Sequence, residues 1–517
     1  MTPTEVRRRL LLRQELALLD VREEKPFSDG HPLFAANLPL SRLESEAYAR
    51  LPRRSAPIVV YDSGEGIAER AVSILSSLGF SNCHQLEGGL DAWCANGFEL
   101  FRDVNSYCKA FGELVETRRN TPSLPAGDVK RLMDRGEDLV ILDARTFDEY
   151  QTMAIPGGIS TPGAELVLRA RTTAPSAKTT IIVNCAGRTR SLIGAQSLIN
   201  ARIPNKVFAL RNGTIGWTLE GFDLAFGSDR RSGDAPRSIA DEALVAARAV
   251  SYAAGARRID WQDLEVLSAH AERSVYKFDV RTRGEHQINH PPGFVWAEGG
   301  QLVQETDVYA PIRGARIVLC DDVGPRAHMT ASWLAQMAWD VYVLEGEWPE
   351  RQPGQEVQPR PHPPDTAMIE PAKLAQLLEE QSVTLIDLAS SRVFRRQRIP
   401  GATFAIRSRL LMMLSTLPTQ VPLVLTSPDG SLAQWTAVEA AEAFAGSVLV
   451  LKGGTQGWLK AGLPLAKEGV EVDADDAYQR PYVSASSSRL AMQAYLDWEA
   501  GLVAQLEKDA THGFFVI

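Results

Sequence analysis

One short pattern recurs four times along this chain: an apolar run that ends in aspartate, followed in three of the copies by x-Arg. It reads "LALLDVRE" at Asp20, "LVILDART" at Asp143, "VYKFDVRT" at Asp279 and "VTLIDLAS" at Asp387. A second β-rich run follows each time: "IVVYDSGEG", "IIVNCAGRTRS", "IVLCDDVGPRA" and "LVLTSPDGS". From the aspartate to the residue that ends the second run is 42 positions in the first three copies (Asp62, Cys185, Asp321) and 40 in the fourth (Ser427). A third block ends in tryptophan: "QLEGGLDAW" at Trp93, "ALRNGTIGW" at Trp217, "VLEGEW" at Trp348 and "VLKGGTQGW" at Trp458. Blocks in constant order and spacing impose one fold on four stretches of chain. A period of a little over a hundred residues is too long for a solenoid repeat and right for a small domain.

Within each copy, runs such as "DLVILDA" and "TTIIVN" are continuously apolar and β-branched, without period-two alternation. That suits parallel strands buried on both faces. "SLIGAQSLINA" (191–201) has helical length and spacing. The fold class is therefore α/β: four tandem units, each a small, mainly parallel sheet flanked by helices. Linkers rich in Gly, Pro and charge at 227–238 and 352–365, and a weaker break at 116–127, give units at 1–104, 119–227, 239–351 and 366–464, then a helical tail over 465–517. Within the tail, "SSSRLAMQAYLDWEAGLVAQLEKD" reads as helix with serine N-caps, packed on the last unit rather than serving as a lid or oligomer contact.

At 517 residues, about three to five domains are expected from typical domain sizes. A net charge of −9 without a long basic stretch argues against nucleic acid as the partner. The five cysteines, Cys83, Cys94, Cys108, Cys185 and Cys320, are scattered, odd in number and without metal-ligand spacing, which fits a reducing compartment. The apolar run Leu10–Leu12 is broken by Arg13, Gln14 and Glu15, and no stretch approaches the ~18 apolar residues of a membrane span. The expectation is a cytoplasmic protein with no membrane partner, no metal and no cofactor.

Only the second unit has a thiol at the end of its second run. In "IIVNCAGRTRSLIG" (181–194), Cys185 stands at the carboxyl end of a predicted strand, where sites form in parallel sheets. The loop Ala186, Gly187, Arg188, Thr189, Arg190 leads to a helix near Ser191. Its backbone N–H groups, the helix dipole and the two arginines together predict a lowered thiol pKa and a cradle for an oxyanion. The other units have Asp62, Asp321 and Ser427 there and lack the paired arginines.

The Asp-x-Arg block, the strand-to-cysteine loop and the terminal Gly-to-Trp block together resemble the rhodanese domain. The resemblance spans residues 1–465 as four tandem copies and is strongest at 120–225. "FDEYQTMAIPGGI" carries it through Glu149, Tyr150, Ile155, Pro156 and Gly157, and "RRQRIPGATF" through Ile399, Pro400, Gly401 and Ala402. The resemblance implies a sulfurtransferase. Cys185 would take a sulfane sulfur from a small-molecule donor such as thiosulfate as a persulfide and pass it to cyanide or a thiol. Ala186 through Ser191 would form the cradle, with Arg188 and Arg190 on the donor's oxyanion. Asp143 and Arg145 read as a pair bracing loops beside the sheet, and Trp217 as core or pocket wall. The three units without the cysteine would act as scaffold, and a homo-oligomer is left open. The alternatives are a persulfide or redox sensor without turnover, or a rhodanese-fold phosphatase or arsenate reductase. The short Cys-x4-Arg loop after Asn184 disfavours the latter pair.

Other features carry less. His286 and His290 in "EHQINH" are spaced i, i+4, but no helix is evident there and the rest of a metal site is missing. Cys83, Cys94 and Cys108 read as buried and inert, and Cys320 as a resolving thiol only if the units fold together.

Overall fold

A computed structural model describes the chain except residues 357, 468, 469, 471, 473, 474 and 482–486. Ser486, the first serine of the tail helix stretch, lies outside the described residues. Four five-stranded sheets follow one another. In the second, the strands Ser123–Leu124, Val207–Leu210, Thr180–Asn184, Leu139–Asp143 and Ile159–Ser160 lie side by side in that order, all parallel. The third and fourth sheets repeat this order, with Arg316–Cys320 and Leu423–Thr426 at their centres. Apolar β-branched residues such as Ile181, Ile182 and Val183 are fully buried in the strands, as expected for a sheet covered by helices on both faces. The registers set Asp143 beside Asn184 and Asp279 beside Cys320, so the aspartates and the cysteine-position loops share one edge of each sheet.

The first sheet departs from the pattern. Ala36–Asn37 pairs only with the end of Leu16–Asp20, and Ile312–Arg313 from the third unit fills the rest of that edge, antiparallel to Leu16 and Ala17. The first and third units thus share a sheet. They also share one apolar core, which includes Leu19, Val60, Ile317 and Trp333 and takes in Leu502, Leu506 and Phe514 from the tail. Polar side chains join units across these contacts. Trp333 Nε1 donates to Ser197 Oγ (2.8 Å), Trp339 Nε1 to Tyr107 Oη (2.6 Å) and Tyr276 Oη to the Arg50 carbonyl (2.8 Å).

The residues between the first two units are not a linker. Ser106–Arg119 is a helix, buried from Ser106 to Val115. It packs so closely on helix Thr189–Asn200 that a Cβ on Gly112 would lie 2.8 Å from Thr189 Cγ2. The tail forms helices Arg489–Ala500 and Leu502–Asp509, the first capped by Ser488. Contrary to the expectation from sequence, they do not pack on the last unit. Gln505 donates to the Leu100 carbonyl, Arg7 pairs with Asp509, and Arg489 donates to the Thr218 carbonyl, so the tail returns to the first and second units. Sequence adjacency was the only guide to its partner, and the apolar stripe of a helix says that it has a partner without naming it. Among the described residues, no helix is long and apolar enough to cross a membrane.

The fourth unit is held to the first by an ion pair. Arg407 places both terminal nitrogens on Glu44 (2.5 and 2.7 Å) and one on Glu439 (2.7 Å), with Arg407 and Glu44 both buried. Breaking such a pair strands a charge in a low-dielectric interior at a cost of about 3–5 kcal/mol. Arg407→Ala is expected to lower the unfolding free energy of the full chain by an amount of that order, read as a fall in the urea midpoint; an unchanged midpoint would show that the pair does not hold the two units together.

Candidate active site

Cys185 directly follows strand Thr180–Asn184, and Arg188 leads into helix Thr189–Asn200. The turn between them is tied from the opposite side by the start of helix Gly213–Leu219. Thr214 N donates to the Cys185 carbonyl (2.9 Å), and Ile215 N and Thr214 Oγ1 donate to the Ala186 carbonyl (3.0 and 3.2 Å). This approach requires glycine at 213. Its φ is +52°, and a Cβ there would sit 2.2 Å from the Cys185 carbonyl oxygen.

The four units show what the turn offers a side chain. The amide six residues on points back at the cysteine position in every copy. Ala68 N donates to Asp62 Oδ2 (3.0 Å), Ala327 N to Asp321 Oδ2 (3.4 Å) and Ala433 N to Ser427 Oγ (3.3 Å), and the Ser191 amide and hydroxyl both favour the Cys185 thiolate. In the first and third units the nest is filled by a carboxylate, which also accepts from Gly64 N and Val323 N respectively.

The arginines are not turned to solvent. Arg188 forks onto Glu113 (2.7 and 2.8 Å), reaches Asn212 (3.2 Å) and pairs with Glu116. Arg190 forks onto Glu149 with two contacts of 2.7 Å. Burial raises the Glu149 carboxyl, but Arg190 and Arg145 more than offset this and hold it at about 2. Asp143 and Arg145 form the brace read from sequence. Arg145 places Nε on Oδ1 (2.8 Å) and Nη2 on Oδ2 (2.7 Å) and on the Met153 carbonyl (2.6 Å), while Asn184 Nδ2 donates to Asp143 Oδ2 (2.7 Å). Trp217 lies in the core with Ile182 and Leu210, its Nε1 donating to the Asp223 carbonyl (2.9 Å).

The expectation of a lowered thiol pKa is not met. Cys185 is 2% exposed, and burial pushes its thiol above the ordinary range. Arg190 and Ser191 draw it down, and Glu499 pushes it further up. Sequence reasoning missed two features of these surroundings. Carboxylates neutralise both arginines, and helix Arg489–Ala500 covers the loop. Met492, Tyr495 and Leu496 pack on Ile215, and a Cβ on Gly187 would meet Tyr495 Cε1 at 3.2 Å and Glu499 Oε2 at 3.4 Å. Glu499 is 1% exposed. Its Oε1 accepts from Tyr495 Oη (2.7 Å), while Oε2 has no partner among the described residues. Burial raises this carboxyl to about 7 against the pull of Lys109, with Glu113 adding to the rise.

The remaining sequence readings divide. Cys108 is buried, but Cys83 is only partly covered and Cys94 is exposed on the short helix Gly89–Ala95, so these two depart from expectation. Cys320 is fully buried in the third unit's core, with its thiol raised by burial. His286 does lie on a helix, Arg283–Ile288, started by a Thr282–Glu285 capping box. His286 Nδ1 is 2.9 Å from Asp279 Oδ2, and its ring stacks on His290 with 3.9 Å between centroids.

With this geometry in hand, similarity to known proteins can be placed on it. The model of the Rhodanese-like domain matches residues 2–96, 125–220 and 370–461; the third sheet lies outside these matches. A crystal structure of thiosulfate sulfurtransferase from Pseudomonas aeruginosa is 52% identical and superposes with a TM-score of 0.97 over 100% of this chain and 99% of that one. A thiosulfate sulfurtransferase from Azotobacter vinelandii is 29% identical over 199 residues, 34% of this chain and 72% of that protein. Another from Pseudomonas aeruginosa is 29% identical over 154 residues, 26% of this chain and 56% of that protein.

Two measurements check the electrostatics. Iodoacetamide is expected to modify Cys185 more slowly than exposed Cys94 at pH 8, with a rate still climbing above pH 9; a rate already level at pH 7 would mean an ionised resting thiol. Glu499, raised from 4.5 to about 7, contributes stability that is fully present below 4.5 and lost as pH rises through 7. Glu499→Gln should match the parent at pH 4.5 and exceed its unfolding free energy by on the order of 2 kcal/mol at pH 8.5. A difference that does not change with pH would contradict this assignment.

Proposed function

This chain belongs to the rhodanese-like domain family, and on that premise we propose that it is a sulfurtransferase working through a persulfide on Cys185. The Cys185 thiolate attacks the sulfane sulfur of thiosulfate. The new S–S bond forms as the old one breaks, and sulfite leaves with the electron pair. Cyanide or a thiol then attacks the outer sulfur and returns the thiolate, so the chemistry is two displacements through one covalent intermediate. Donor and acceptor are small molecules, and no cofactor is needed for the electrons to balance.

The observation that carries this reading is the nest. In the first and third units the same turn binds a carboxylate through its amides. A turn that stabilises an anion in those units can stabilise a thiolate or persulfide in the second. Because the resting thiol is buried, donor access requires helix Arg489–Ala500 to move off the loop, and the donor's sulfonate then competes with Glu149 for Arg190. Arg188, turned onto Glu113 and Glu116, acts by holding the loop against helix Ser106–Arg119. The four units, bounded at 1–104, 119–227, 239–351 and 366–464, with a tail over 465–517, thus divide into one reacting unit and three that support it. The free cysteines among the described residues fit a reducing compartment, and the cytoplasm is the proposed location.

Cys185→Ser should abolish cyanolysis of thiosulfate and the gain of one sulfur atom seen by intact mass spectrometry. Arg190→Ala should raise KM for thiosulfate about tenfold, the scale of one lost charge-assisted contact, and more than Asp143→Asn does. Equal effects, or the reverse order, would overturn the assignment of Arg190 to the donor.

A further inference from the structure

In three units the aspartate that ends the strand beside the one leading to the cysteine position is neutralised by an arginine two residues on. The geometry is the same each time. The amide of the arginine donates to Oδ1, at 2.9 Å in the first unit and 3.1 Å in the second and third. The guanidinium forks onto the carboxylate, with Nη2 to Oδ2 distances of 2.6 Å for Arg22 and 2.7 Å for Arg145 and Arg281. The same Nη2 also donates to a carbonyl eight residues further on: Gly30, Met153 or Asn289.

The fourth unit keeps the acceptor and lacks the donor. Asp387 is 0% exposed and oriented as in the other copies, with Ala389 N donating to Oδ1 (2.9 Å). Ala389 stands where the arginine would be, and Asp387 Oδ2 has no hydrogen-bond partner among the described residues. Burial raises this carboxyl to about 6, opposed only by the Ala389 amide. At pH 7.5 it is therefore a buried anion without a counter-charge, a costly arrangement. Counting eight residues on from Ala389 reaches Gln397, the position of the second acceptor.

The vacated position is open to a cavity. Ala389 lines a space of about 620 Å³ between the first and fourth units, at the edge of the sheet that carries the nest in the second unit. Phe404 and Trp435 provide apolar wall. Glu23 Oε1 and Asp476 Oδ1, also from lining residues, are buried without partners among the described residues. Of the arginines in the wall, Arg407 is held by Glu44 and Glu439, and Arg42 is paired with Glu46. Arg360 lines the cavity too, yet it is not among the groups that act on Asp387.

We infer that the fourth unit binds an alkylguanidinium small molecule whose planar head takes the place on Asp387 that the other units fill with their own arginine. The fork on a carboxylate selects guanidinium over ammonium, because it needs two parallel N–H groups at fixed spacing. An aliphatic stem suits the apolar wall. A second cationic group would meet the unpartnered oxygens of Glu23 and Asp476, whereas a carboxylate on the ligand would be repelled by them. This site is separate from Cys185 and does not rest on the sulfur chemistry.

The test is isothermal titration of the full chain with agmatine, with 1,4-diaminobutane as the ammonium counterpart. Saturable 1:1 binding of agmatine, at least about tenfold tighter than the diamine, is expected. Asp387→Asn should weaken it at least about tenfold. Ala389→Arg should abolish it by filling the place from within, while raising thermal stability; if that variant does not fold, Asp387→Asn still decides. Cys185→Ser should bind agmatine as the parent does, even if sulfur transfer fails its own test. No saturable binding at millimolar agmatine, equal affinity for the diamine, or binding indifferent to Asp387→Asn would overturn the inference.

Discussion

In each unit, the strand beside the one that leads to the cysteine position ends by carrying a carboxylate into the protein interior, where it must find a cation or remain a liability. Asp20, Asp143 and Asp279 find one two residues on, and the resulting pairs tie the loop after the strand to a carbonyl eight residues beyond the arginine. Such a pair adds little net stability over an apolar substitute, but losing one partner is expensive, so the geometry is held. In the second unit the consequence reaches Cys185. Asp143 also accepts from Asn184, the residue before Cys185, so the brace fixes the strand end from which the thiol projects. Each loop at that edge of the sheet is positioned relative to this buried charge, and the fourth unit shows the same carboxylate without its arginine.

The turn after the neighbouring strand has a complementary property: it presents amides that need an acceptor. Three kinds of side chain serve at one position, a carboxylate in two units, a hydroxyl and a thiol, because each supplies an acceptor to the amide six residues on. Only the thiol can form and break a covalent bond to sulfur, which singles out the second unit. Its surroundings are balanced rather than electropositive. Arg188 and Arg190 each face carboxylates, and Glu499 sits over the loop largely desolvated. Burial holds the Cys185 thiol above the ordinary range even though Arg190 and Ser191 draw it down.

Much of this could be read from the chain. The fourfold repeat, the parallel strands and the placement of Cys185 at a strand end follow from spacing and from β-branched runs, which reflect burial on both faces. The brace of Asp143 and Arg145 was legible because its partners are two residues apart. What could not be read depends on partners distant in sequence. Arg188 meets Glu113 across 75 positions, and nothing local in either stretch announces the pair. The stretch with its serine N-caps read as helix, but the residues on which it packs, such as Ile215, lie in another unit. The helix at His286 was missed although Thr282 and Glu285 spell a capping box, because six residues give too little periodicity to register.

The residues that lie against the loop after Cys185 are made long after it. Tyr495 and Glu499 lie more than 300 positions beyond Cys185, so at ribosomal speeds of roughly 5–20 residues per second the second unit waits about 15–60 s for them. Throughout that interval Ile215 has no apolar neighbour from the tail, and Gly187 lacks Tyr495 and Glu499 against it. In order of synthesis, the shielding of the second unit therefore follows the making of the fourth.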